Sequence, residues 1–233
     1  MKRFLFVAAL ALGVPLAPAR LHAQVGYPPE RSPFYDLEYR QEITPFVGYF
    51  LASGDPAKVA PRSGPLVGAR YDVRVGGPAQ LTVRAARVFS ERTPIDPTKP
   101  VGQRALPSRN VSLYTGDLSL SINLTGQKSF HHIVPVVTGG IGVASEPGGR
   151  EDVGGYKFGT SFAFLFGAGV RWVPGGRFQL RADVGDYLYQ VQYPDSYVFG
   201  TEANPPVLRA SRGRSSWQHN AALTVGGSYL FVR

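Results

Sequence analysis

Only four histidines occur in the 233 residues, so each can be weighed as acid, base or ligand. His131 and His132 are adjacent, and His219 stands close in sequence to Ser215, Ser216, Asp195 and Glu202. Nucleophilic chemistry needs a hydroxyl, a base and an orienting acid within hydrogen-bond reach. No spacing here arranges those residues in the three roles, so no catalytic residue and no enzyme activity are expected. With no Cys there is no thiol nucleophile, thiolate metal site or disulfide framework. No His, Asp or Glu cluster has metal-ligand spacing, so neither metal nor other cofactor is expected. Gly139-Gly140-Ile141-Gly142 precedes neither a helix nor Gly-Lys-Ser/Thr, which rejects a phosphate loop. What remains is charge at alternate positions: Arg70, Asp72 and Arg74, then Arg84, Asp117, Arg171, Arg181 and Asp183.

Those positions belong to runs of period two. Phe162, Phe164, Phe166, Ala168, Val170 and Trp172 share one face, opposite Ser161, Ala163, Leu165, Gly167, Gly169 and Arg171. A helix would need apolar residues three and four apart, which these runs lack. The pattern predicts eight strands, near 42–52, 65–75, 79–90, 109–125, 132–145, 159–173, 177–191 and 215–232. Their connections alternate strictly. After the second, fourth and sixth strands they are short, as at Gly76-Gly77-Pro78. After the first, third, fifth and seventh they are long and rich in Pro, Gly and charge. An antiparallel up-and-down meander has this signature, with tight turns at one end and loops at the other. Segment 24–40 precedes the strands on the short-turn side.

The N-terminus has a different logic. Lys2 and Arg3 precede the uncharged apolar run Phe4–Leu12, Pro15 and Pro18 break any helix, and Ala23 ends the segment. Residues 1–23 are read as a secretory signal peptide cleaved after Ala23. Its removal takes Lys2, Arg3 and Arg20 and lowers the formal charge from +9 to +6. A mean hydropathy of −0.09 excludes a bundle of membrane helices. It does not exclude strands whose two faces average out.

The polar face separates a soluble barrel from a membrane one. A solvated face would carry many Lys and Glu, whereas this one carries Gly, Ser, Thr, Asn and both signs of charge. Such residues suit a narrow lumen, where isolated charges would be costly and mutual pairing is expected. The other face is continuous Phe, Leu, Val, Ile and Ala with Trp172 and Tyr229 near strand ends, which suits lipid. Only a closed barrel satisfies every strand N–H there.

The last strand carries Thr224-Val225-Gly226-Gly227-Ser228-Tyr229-Leu230-Phe231, and the first carries Ile43-Thr44-Pro45-Phe46-Val47-Gly48-Tyr49-Phe50. On these and the loop alternation, the chain resembles the small bacterial outer-membrane β-barrel proteins of the OmpA/OmpX type. The resemblance implies an all-β, eight-stranded transmembrane barrel over 41–233, short periplasmic turns, four long extracellular loops and a periplasmic leader at 24–40. It implies that Thr224, Gly226, Tyr229 and Phe231 form an assembly signal read by the outer-membrane barrel assembly machinery. In this family the chain usually stops at the terminal aromatic, whereas Val232 and Arg233 follow here. Barrel lipid A deacylases place a Ser two residues after a His, and position 221 is Ala.

The expected function is an outer-membrane barrel with a structural, anchoring or surface-interaction role through its loops. The alternatives are a narrow channel or small-ligand barrel and, behind it, a lipid A-modifying enzyme. Arg104, Arg109, Arg209, Arg212 and Arg214 are the loop cations expected to face lipopolysaccharide phosphates. The expected partners are outer-membrane lipids and lipopolysaccharide, with no nucleic acid and a monomeric chain.

Overall fold

Strict alternation of side chains over a dozen residues makes a strand with two unlike faces, and a sheet of such strands closes to remove its edges. The computed structural model describes residues 32–200, 204–209, 211 and 213–231. The signal-peptide reading, residues 24–31 of the leader, Arg212 and the terminal Val232-Arg233 lie outside them. The strands are β1 (Phe34–Asp36), β2 (Gln41–Ala52), β3 (Gly64–Gly76), β4 (Ala79–Arg92), β5 (Arg109–Asn123), β6 (Lys128–Phe130), β7 (Ile133–Ser145), β8 (Thr160–Trp172), β9 (Phe178–Gln192) and β10 (Ser215–Phe231). A short α-helix, α1 (Asp195–Val198), lies in the last long loop, and a single 3-10 turn (Val101–Gln103) in the loop after β4.

Eight long strands pair antiparallel with their neighbours in chain order. β10 pairs with β2, from Asn220↔Ala52 to Phe231↔Gln41, and β7 pairs with β8, so the sheet closes on itself. The chain is a closed, eight-stranded, up-and-down β-barrel. The expected strands are present with ends shifted by no more than about two residues. The additional strands are short: β1 and β6 pair beneath the barrel, from Phe34↔Phe130 to Asp36↔Lys128. They extend the sheet into segment 24–40 and into the short connection between β5 and β7.

Turn chemistry fixes the register at the short end. Gly175 and Gly176 take φ of 115° and 72° between β8 and β9. His131 and His132, with φ of 47° and 65°, form the two-residue turn between Phe130 and Ile133. Both central residues of that hairpin are left-handed, as the right-handed strand twist favours. The adjacent histidines are therefore turn residues, and His132 also stacks on Tyr35 with ring centroids 4.2 Å apart.

Outward positions form an apolar belt: Val47 is 62 % exposed, Val83 52 % and Phe166 59 %. Trp172, Phe178 and Tyr229 mark its short-turn edge, while Phe89, Tyr114 and Trp217 mark its loop edge. A dozen residues tilted about 40° climb about 30 Å, the thickness of a hydrocarbon layer.

Candidate functional site

The lumen has two chemically different halves. In the half toward the short turns, inward positions carry charge on six strands. Arg70 holds Asp72 through Nε at 2.8 Å and Nη2 at 2.5 Å, and its Nη1 lies 3.6 Å from Asp183. Thr82 also donates to Asp72, at 2.5 Å. Arg181 reaches Asp183 at 2.8 Å and Glu42 at 3.5 Å. Arg171 reaches Glu42 at 2.7 Å and donates to Gln179, Gln80 and Asn123 across the lumen. Gln179 donates a further short bond to Glu42. Higher up, Arg84 lies 3.1 Å from Asp117, which accepts Ser119 at 3.1 Å and the Tyr187 hydroxyl at 2.9 Å.

Four guanidinium groups thus face four carboxylates. The fourth carboxylate is Glu42, which the sequence reading omitted. It stands at the start of β2 with the inward parity of Thr44 and Phe46, so alternation alone could have found it. Arg74 is the opposite case and a correction. It lies at the mouth, half-buried, and its Nη2 donates to the Leu37 carbonyl at 2.7 Å rather than to a carboxylate. It ties the leader to the barrel, because β3 leaves the lumen at that level. A cavity of about 270 Å³ lies there, lined by Asp36–Tyr39, Arg74, Arg171 and Gln179.

The half toward the long loops is apolar, which corrects the expectation of a polar inner face throughout. Phe46, Phe50, Leu66, Val88, Leu113, Leu165 and Tyr189 point inward and pack with Val59, Tyr156, Phe158, Tyr193, Tyr197 and Leu208 from the loops. The loops fold down over the opening and supply the apolar surface that these side chains need.

Two carboxylate centres hold this cap. Asp55 accepts the Ala57 and Ala60 N–H groups at 2.8 Å each and the Tyr193 hydroxyl at 2.9 Å. Arg92, fully buried, grips Asp152 at 2.5 and 3.0 Å, lies 3.3 Å from Glu146 and stacks over Tyr156 at 5.3 Å. Burial first, and the Asp55 charge second, push the Tyr156 and Tyr193 phenols above the ordinary tyrosine value. Burial and the charge of Asp152 do the same to Tyr197.

The expected loop cations divide. Arg104 is buried and donates to the Lys99 carbonyl at 2.9 Å and the Pro205 carbonyl at 2.5 Å. It is therefore a strut between two loops and presents no charge outward. Arg109 pairs with Asp152 at 2.8 Å, and Arg214 with Asp195 at 2.7 Å; Arg209 is exposed.

His219 lies on the outer wall of β10, where Nδ1 is 2.6 Å from Asp186. Among the described residues no hydroxyl is bonded to its imidazole, and Ser215 and Ser216 instead accept from Gln190 and Gln218. In the last strand Thr224 points inward, Gly226 packs against β2, and Tyr229 and Phe231 lie outside with ring centroids 6.4 Å apart.

Several solved structures match along nearly their whole length. Neisserial surface protein A (NspA) aligns over 82 % of this chain and 97 % of its own, with a TM-score of 0.50 and 15 % identity. The outer membrane protein OprG from Pseudomonas aeruginosa aligns over 84 % and 98 %, with a TM-score of 0.50 and 11 % identity. The fold is that of the eight-stranded outer-membrane barrels. No family model and no curated protein matches the sequence.

Proposed function

We propose that this chain is an integral outer-membrane barrel, exported through its N-terminal segment, that anchors an ordered loop cap at the cell surface. The observation that carries the reading is the combination of an outward apolar belt with a lumen filled by its own ion pairs and aromatic side chains. A soluble barrel would bury its apolar face, and this one exposes it. The cap then offers the surface through which partners are met, while Thr224, Gly226, Tyr229 and Phe231 act in assembly. Outer-leaflet lipids and lipopolysaccharide are the proposed surroundings, and the chain acts as a monomer.

Fractionation tests this directly. The folded protein is expected in outer membranes and to shift its gel mobility on boiling. Recovery as a soluble periplasmic protein would overturn the reading.

A further inference from the structure

The Arg87 guanidinium takes no part in the lumen or the cap. Arg87 lies at an exposed outward position of β4, between Ala85 and Phe89. Its Nε and Nη2 donate to Ser112 Oγ at 3.1 and 2.8 Å, and its Cζ lies 4.7 Å from the Phe89 ring and 5.8 Å from the Tyr114 ring. Among the described residues it has no carboxylate partner. Three of its five N–H groups remain for another acceptor.

Grooves of about 530 Å³ and about 420 Å³ flank β5 here and share Asn110, Val111 and Ser112. Arg87 and Glu91 line the first, and Arg109, Glu146 and Arg150 the second. Arg92 and Arg109 already pair with Asp152 and Glu146, and among the other charges that line the two grooves Arg87 and Arg150 stand against Glu91. Below this level, toward the belt, Ala69, Ala85 and Gly116 are paired in register on the outer face. They form a row of small residues between the row Val67–Arg87–Tyr114 and the row Tyr71–Val83–Leu118.

A cation at the aromatic edge above a shallow apolar trough matches an amphiphile with an anionic head. We propose that this wall binds a phosphorylated acyl glycolipid of the outer leaflet, its phosphate on Arg87 and Arg150 and one acyl chain along Ala69, Ala85 and Gly116. The guanidinium fork suits a phosphate, and the adjoining rings keep it oriented. Asn110 and Ser112 offer polar atoms for the sugar. The proposal rests on the outer-membrane reading and fixes the leaflet, because the site lies at the long-loop end.

The test uses the purified barrel in neutral detergent, with boiling-dependent gel mobility confirming the fold before any lipid is added. Native mass spectrometry then measures retention of diphosphorylated lipid A, its dephosphorylated form and phosphatidylglycerol, and displacement by inorganic phosphate. The diphosphorylated lipid A is expected to be retained preferentially, with affinity falling about tenfold or more in Arg87→Gln, a loss typical of one charge-assisted pair. Ala85→Leu, which fills the trough, is expected to weaken retention while leaving gel mobility unchanged. Equal retention of the dephosphorylated lipid, or an unaffected Arg87→Gln, would overturn the phosphate site. Equal retention of phosphatidylglycerol would overturn the glycolipid assignment, and full displacement by inorganic phosphate would overturn the trough. Failure of the outer-membrane reading shows separately, as a protein absent from the membrane fraction.

Discussion

Glu42 joins two arginines that otherwise have no common partner, Arg171 at 2.7 Å and Arg181 at 3.5 Å, and all three are buried. Removing one member of such a set leaves charge uncompensated in a low-dielectric interior, which costs about 3–5 kcal/mol. Glu42→Ala is therefore expected to lower the denaturant midpoint of the folded barrel strongly. Arg74→Ala, at the half-buried mouth, should lower it by less than about 1 kcal/mol. Comparable losses in urea titrations followed by gel mobility would contradict the assignment of Glu42 as the hub. Gly169 gives a second test at this scale. A side chain there would collide with the Asp183 carboxylate, so Gly169→Val should reduce the folded fraction. Parity along each strand makes Arg171, Arg181, Gly169 and Asp183 legible in the sequence, and Glu42 is the member of the network that the sequence reading omits. What parity does not record is height along the barrel, which is why Arg74 was read as a lumen residue.

At the scale of the element, strands were written in local alternation and the cap was not. Asp55, Tyr156 and Tyr193 come from three different connections and Arg92 from the last position of β4, and no shared period links the four. Their union depends on distant chain segments meeting above a finished barrel. The same physics separates two substitutions. Asp55→Ala removes three bonds from a buried carboxylate and should cost on the order of 3 kcal/mol, with faster amide exchange at Ala57 and Ala60. Among the described residues the Tyr156 hydroxyl has no hydrogen-bond partner, so Tyr156→Phe should be neutral or slightly stabilising. A pH scan adds a third expectation. The Tyr156, Tyr193 and Tyr197 phenols are raised, so the folded cap binds protons more tightly than an open one. Its stability is then complete below the ordinary tyrosine value of about 10 and falls as pH rises beyond it. Tyrosinate absorbance and loop exchange should rise together above that pH; exchange that stays flat would sink the argument.

For the whole molecule, closure and filling decide what can pass. Eight strands leave a lumen just wide enough for side chains, and here four ion pairs and an aromatic cap occupy it. In planar bilayers the barrel is expected to show no steady conductance, and regular open-channel steps would overturn the closed reading. The belt and the strand number are legible in the sequence, since both follow from period two and from alternating loop lengths. The division of the lumen into a charged half and an apolar half could not. It arises only when inward residues of all eight strands are stacked at common heights.

The Glu42 hub also bears on how the barrel comes into being. Its arginine partners lie 129 and 139 residues later in the chain, on β8 and β9. Until those strands arrive, Glu42 on the first long strand lacks both of its ion-pair partners and has only the longer-range charge of Arg70 and Arg74 on β3 beside it. A partly built sheet is thus penalised, and the penalty vanishes only on completion. Insertion should consequently be a late, concerted step with few populated halfway species, and unfolding in lipid should be slow and all-or-none. The ion pair works as a completion check, written at residue 42 and answered only near the end of synthesis.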